Sequence, residues 1–225
     1  MRPFWIGPVL ALLAAACSQS PAPTPRPAPP SSSAHATAVN PANIKRVGRE
    51  LPSGYEVSSG IPSGASPRVI WGLAPDVVTK PPQCGTLADP GNGRDQSAQG
   101  VSGSGAGGIV DAVVVALTPG PAALDANLAA SCGQWTMSDG HTTARIRLTA
   151  PPRIDGAETL GMVADVKTSV ESGTEIDSRT YAFIAYLGDY YAFTTLTTDP
   201  GSVLPALPPQ FAADLLVKTV STLRS

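Results

Sequence analysis

Histidine and cysteine are scarce in this chain: 225 residues hold two histidines, His35 and His141, and three cysteines, Cys17, Cys84 and Cys132. Protein metal sites draw on imidazole and thiolate ligands at regular spacing. Cys84 and Cys132 lack such partners nearby, so a metal site is the sharper alternative to a simpler role and no cofactor is expected. Charge of one sign is also missing. Lysine and arginine number 15 against 17 acids, with no basic stretch, so nothing supplies the phosphate neutralisation on which nucleic-acid binding depends. Long apolar runs are missing too. The longest, Phe4 to Ala16, contains Pro8 and falls short of the roughly 20 residues a membrane-spanning helix needs.

What that run does resemble is a signal peptide, Met1 to Ala16, with Arg2 as its early positive charge. It ends in Leu13-Ala14-Ala15-Ala16-Cys17, which resembles a lipobox, and this implies a diacylglyceryl group on the Cys17 thiol. The alternative is an ordinary A-x-A cleavage beside a stray cysteine. Acylation contributes about 0.8 kcal/mol per buried methylene, so a multiply acylated Cys17 would tether the chain to the outer face of the cytoplasmic membrane. The remaining pair, Cys84 and Cys132, is expected to form one disulfide in an exported protein.

Cys17 to Asn40 is rich in proline, serine, alanine and threonine and too poor in apolar bulk to build a core, so it reads as a spacer. Polyproline II at about 3.1 Å per residue would let it reach up to about 70 Å. Pro41 to Ser225 suits a single domain. Ile44 to Val57 and Arg68 to Leu73 read as short strands between turns, and Asp89 to Gly108, polar and glycine-rich, as a mobile loop. Ile109 to Leu117 is β-branched and predicts a buried strand. Ala122 to Ser131 predicts a short helix that delivers Cys132. Strands follow at Thr143 to Thr149, Leu160 to Glu171, Glu175 to Leu187 and Tyr190 to Thr198, and Pro208-Pro209 opens an amphipathic helix. The expected fold is α+β: a mostly antiparallel sheet with a C-terminal amphipathic helix and one short helix packed on it, stapled by one disulfide.

Candidate chemistry is thin. Gly103-Ser104-Gly105-Ala106-Gly107-Gly108 satisfies G-x-G-x-x-G, but no strand is read before it and the segment after it is a strand and not a helix, so the dinucleotide reading lacks its context. Met137-Ser138-Asp139-Gly140-His141 gathers a serine, an acid and a histidine, yet catalytic sets are defined by geometry and these merely share a turn. Catalytic residues are therefore not assigned, and a hydrolase using His141 is kept as an alternative. Tyr181, Phe183, Tyr186, Tyr190, Tyr191 and Phe193 are the one aromatic concentration. Because strand side chains alternate, half should face the core, and the outward members of Tyr181, Tyr186, Tyr190 and Tyr191 are the candidate lining of a groove for a lipid or glycan.

Ile44-Lys45-Arg46-Val47, Leu51-Pro52-Ser53-Gly54-Tyr55-Glu56-Val57, Trp71-Gly72-Leu73, Pro81-Pro82-Gln83-Cys84, Leu87-Ala88-Asp89-Pro90, Gly140-His141-Thr142-Thr143 and Ala212-Ala213-Asp214-Leu215-Leu216-Val217-Lys218 together resemble a family of mycobacterial lipoproteins built on a domain of unknown function. More distantly, a cysteine, a buried strand, a short helix, Cys132 near Trp135 and a closing amphipathic helix are similar to the extracellular sensor domain of PknH-type serine/threonine kinases. The first resemblance implies a lipid-anchored protein of the cell envelope and brings no catalytic residue. The second implies ligand binding or sensing, although this chain has one cysteine pair where those domains usually have two, and no kinase segment. The combined expectation is a non-catalytic, membrane-tethered module for an envelope ligand or protein partner, with a structural or assembly factor as a further alternative.

Overall fold

The structure is a computed structural model, and it describes residues 38–59 and 66–225. The signal peptide, Cys17, His35 and nearly all of the spacer lie outside the described residues.

The nine strands of the described residues are β1 (Glu56–Ser58), β2 (Val78–Lys80), β3 (Asp95–Gly105), β4 (Gly108–Thr118), β5 (Gln134–Ser138), β6 (Thr142–Thr149), β7 (Glu158–Ser169), β8 (Glu175–Tyr186) and β9 (Tyr190–Thr198). They form one antiparallel sheet in the order β1-β3-β4-β9-β8-β7-β6-β5-β2. The four strands read between Thr143 and Thr198 are present as β6 to β9. The helices are α1 (Pro67–Ile70), α2 (Gly85–Ala88), α3 (Ala126–Ser131) and α4 (Pro209–Leu223), with 3-10 turns at Pro41–Glu50 and Pro82–Cys84. No helix among the described residues is long and apolar enough to cross a membrane.

The sheet separates two cores, and alternation along each strand decides which residue joins which. On β8, Ala182, Ile184 and Tyr186 point to one side and Phe183 and Ala185 to the other. The first side, here the disulfide face, carries α1, α2 and α3 over Trp71, Leu87, Trp135, Ile146, Tyr191 and Phe193. The opposite side, here the helix face, is covered by α4 and the 3-10 turn at Pro41–Glu50, which bury Ile44, Val47, Val114, Leu196, Leu216 and Val220.

Cys84 and Cys132 are joined, with Cα atoms 5.6 Å apart, so the disulfide ties the start of α2 to the end of α3. Beside it, Arg68 Nε donates to Asp89 Oδ2 at 2.8 Å and Arg68 Nη1 to the Leu73 carbonyl at 2.8 Å. With side-chain exposures of 12% and 5%, this pair is a buried one and fixes α1 against the end of α2. Breaking such a pair from one side is strongly destabilising, because the remaining charge stays buried.

Three segments depart from the sequence reading. Ile44 to Glu50 is a 3-10 turn and not a strand: the Asn40 side chain accepts from Ala42 N at 3.1 Å, Pro41 stands first, and Ile44 and Val47, three apart, bury on one side. Arg68 to Ile70 falls within α1. The stretch Asp89 to Gly108 is not a mobile loop, because Asp95–Gly105 pairs residue for residue with β4. Its glycines are steric. A Cβ on Gly103 would stand 2.6 Å from Leu51 Cδ1, and one on Gly105 would stand 2.4 Å from the Tyr55 ring. The G-x-G-x-x-G run therefore seats Leu51 and Tyr55 flat on a strand and turns the β3–β4 hairpin.

The disulfide closes a separation of 48 residues, which in the chain-entropy account stabilises by about 4 kcal/mol. The double variant Cys84→Ala/Cys132→Ala is expected to lose about that much, read from chemical denaturation. A loss below about 1 kcal/mol would show that the tertiary contacts of α2 and α3 alone close this region.

Candidate binding trough

The helix face is only half covered. α4 lies across β9, β8 and β4, and the 3-10 turn at Pro41–Glu50 across β3 and β4. Beyond them the same face stands open on β6, β5, β2 and the Asp165–Lys167 part of β7, past the buried Val163, and the strands respond in composition. On β6, Ala144 and Ile146 are buried toward the disulfide face, while Arg145 and Arg147 stand exposed on the other.

The register aligns these outward residues into rows. Lys80 pairs with Thr136, Thr136 with Arg145, Arg145 with Asp165 and Asp165 with Arg179, so one transverse row runs from β2 to β8. The next row holds Val78, Ser138, Thr143, Lys167 and Asp177. Two adjoining depressions of ≈490 and ≈590 Å³ lie over these rows and share Thr143 and Arg145. Each falls within the ≈300–1,000 Å³ usual for small-molecule sites. A further cavity on the disulfide face, beside Arg68 and Asp89, measures ≈240 Å³ and falls below that range, although Asp89 Oδ1 is buried there without a hydrogen-bond partner among the described residues.

The charges within the trough are unevenly spent. Asp165 accepts from Arg179 Nε at 2.6 Å and from Arg147 Nη1 at 3.1 Å. Lys167 Nζ stands 2.6 Å from Glu175 Oε2 and 3.5 Å from Asp177 Oδ1. The Glu175 hydrogen bond and the Asp177 charge push the Lys167 ammonium up, and Asp165 does the same for Arg179. Exposed pairs of this kind add little to stability. Their effect is to use up carboxylates, so that Arg145 and Lys80 carry charges with no hydrogen bond or ion pair among the described residues.

The rim is a built structure. Asp139, in the β5–β6 turn, accepts from His141 N at 3.0 Å and Thr142 N at 2.8 Å through Oδ1, and from Ala74 N at 2.9 Å through Oδ2. Gly140 takes a φ of +94°, which the turn requires. One carboxylate thus joins the β5–β6 turn to the segment leading into β2. Desolvation opposes its charge, but the amides of Thr142, Ala74 and His141 outweigh it and hold the carboxyl below the usual range.

The residues singled out from sequence fall in several places. Tyr186 and Tyr191 are buried on the disulfide face, and burial pushes both phenols up, with the Glu158 and Asp89 charges adding to the effect. Tyr181 and Tyr190 are half-buried on the helix face. The four do not share one surface; Tyr181, two residues along β8 from Arg179 and on the same face, is the one beside the trough. His141 is exposed in the rim turn. Ser138 Oγ bonds Thr143 Oγ1 at 3.0 Å, Asp139 is occupied by backbone amides, and among the described residues no hydrogen bond joins either side chain to the His141 ring. Lys80, Arg145, Asp165 and Arg179 were not singled out by the sequence reading. The alternation of β6 marks an open polar face, but only the register shows that these charges form a row.

The sequence profile of a domain of unknown function, DUF5642, matches residues 40–224. The chain belongs to that family. A search of curated proteins finds no match to this DUF5642 chain. Among solved structures it is similar to an uncharacterised protein of Mycobacterium smegmatis, an Rv0999 ortholog, at 17% identity and a TM-score of 0.62, covering 84% of this chain and 100% of that one. It is also similar to the extracellular domain of PknH from Mycobacterium tuberculosis, at 14% identity and a TM-score of 0.42, covering 84% and 93%. The first of these shows that the fold is shared.

Asp139→Ala leaves three backbone amides at the rim without their acceptor and is expected to cost about 1–3 kcal/mol. The same carboxylate sets a pH dependence. Because its folded pKa lies below the ordinary value near 4, its stabilisation is complete above that value and is lost as pH falls through the folded one. Denaturation of wild type and Asp139→Ala at pH 7 and pH 2.5 should show the difference narrowing at the lower pH; an unchanged difference would mean that the carboxylate charge plays no part.

Proposed function

We infer that this DUF5642 protein is a non-catalytic binding module of the cell envelope, tethered through a lipid on Cys17, and that the open half of its helix face is where a ligand or partner docks. The observation that carries this reading is the trough itself: two adjoining depressions over the sheet, walled by a hydrogen-bonded turn at one side and reaching Pro200 at the other. A preformed concavity on a rigid scaffold is the usual setting of a binding site. Three further facts support the setting. Leu13 to Cys17 resembles a lipobox, Cys84 and Cys132 form a disulfide of the kind that persists outside the cytosol, and the folded part follows a proline-rich segment suited to a spacer. Tyr181 contributes at the margin of the trough, while Tyr186, Tyr190 and Tyr191 contribute by holding the β8–β9 hairpin.

Two measurements test this. In a mycobacterial host fed an alkyne-bearing palmitate analogue, the wild-type chain is expected to take up label and Cys17→Ala to take up none; label retained by the variant would refute the tether. Native mass spectrometry of the full chain extracted from that host is expected to show a discrete non-covalent adduct of an envelope lipid or glycan. A chain free of adduct but recovered with one stoichiometric protein would make it an assembly factor instead.

A further inference from the structure

The larger depression, ≈590 Å³, contains two cations and a hydroxyl that no side-chain hydrogen bond or ion pair among the described residues uses. Lys80, Thr136 and Arg145 stand at matched register on the adjacent strands β2, β5 and β6. Neighbouring strands lie about 4.8 Å apart, so the two cationic residues straddle Thr136 at roughly 10 Å between backbones, and both side chains are long enough to converge above it. None of the three has a side-chain hydrogen bond or ion pair among the described residues, whereas Arg147, Lys167 and Arg179 on the same face all do. Of the acids at this depression, Asp139 is turned to backbone amides, which leaves Asp76 on the rim. The two acids balance the two cations in number, but both acids stand at the rim while the cations flank Thr136.

The geometry points to an anion subsite formed by Lys80, Thr136 and Arg145, which takes the carboxylate or phosphate of an acidic glycan. This deepens the binding reading above and rests on it. The anion follows from charge complementarity: a guanidinium and an ammonium around one hydroxyl offer the charge-assisted donors such groups seek. The glycan follows from the walls. Thr136, Ser138 and Thr143 present hydroxyls, and Val78 is the exposed apolar side chain among them. The chain that precedes the domain joins it far from here. Asn40 N donates to the Leu223 carbonyl at 2.8 Å at the end of α4, and Arg224 there reaches the Gly156 carbonyl at 2.8 Å in the β6–β7 loop. The rim at Asp139 lies at the other end of β6, roughly 25 Å away along an eight-residue strand. Asn40 thus lies at the opposite end of β6 from the subsite.

The test uses the full-length lipidated chain in detergent micelles and three probes: trigalacturonic acid, neutral maltotriose, and vesicles of phosphatidylinositol in phosphatidylcholine. Trigalacturonate is expected to bind and maltotriose not to. Arg145→Ser and Lys80→Ser are each expected to weaken trigalacturonate binding by at least about tenfold, while Arg153→Ser, an exposed arginine in the β6–β7 loop, leaves it unchanged. Thermal unfolding of each variant, expected to match wild type, separates loss of binding from loss of fold. Equal binding of both saccharides, trigalacturonate binding insensitive to Arg145 and Lys80, or no trigalacturonate binding at all overturns the anion subsite. If the native mass spectrum still shows its adduct in those cases, the trough reading survives without it. Arg145-dependent binding to the phosphatidylinositol vesicles in place of trigalacturonate would make a lipid headgroup the source and overturn the glycan assignment.

Discussion

A nine-stranded sheet has two broad faces, and the described residues supply too little helix to cover both. At about 4.8 Å per strand the sheet is roughly 38 Å across, while α4, 15 residues long, spans about 22 Å. The short helices α1 to α3 and the disulfide spread over one face, and α4 with the Pro41–Glu50 turn covers part of the other. Where cover ends, side-chain chemistry changes within one strand. Phe183 and Ala185 of β8 are buried under α4, and Arg179, farther along on the same side, is half-exposed and ion-paired. The trough is the remainder of that division.

Much of the architecture was legible because β6 to β9 are apolar, β-branched and aromatic runs set off by turns such as Gly188-Asp189, and α4 repeats its apolar residues with helical period. The misreadings have physical causes. The strand Asp95–Gly105 is polar and glycine-rich, poor in intrinsic β propensity, and exists because β4, a run of valines, offers an edge to pair with and because Leu51 and Tyr55 need small residues beneath them. The segment from Ile44 has the β-branched look of a strand, but its Asn40 cap and Pro41 start a helical turn. β2 and β5 are short, and what defines β5 is Trp135 and Met137 buried two apart beside the disulfide. Their place at the sheet edge depends on partners elsewhere in the chain.

The candidate site was the less legible part. Aromatic clustering drew the sequence reading to the β8–β9 hairpin, where two of the four tyrosines turn out to be core. The charged row that lines the trough comes from four strands spread between Lys80 and Arg179, and no local pattern joins them. Cross-strand register is a property of the assembled sheet.

The two ends of the domain are stitched together. Asn43 Nδ2 donates to the carbonyls of Thr222 at 3.2 Å and Ser225 at 2.9 Å, beside the bond from Asn40 N to Leu223, so the residues that follow the spacer supply acceptor-seeking groups to the bare last turn of α4. Mechanically this makes the domain a hook with a closed eye. A pull transmitted from residue 39 loads the last turn of α4 and the front of the Pro41–Glu50 turn, one hydrogen bond after another, before any ladder of the sheet is sheared. The point of loading is thus shared between the start of the domain and its last helix, rather than resting on a single strand.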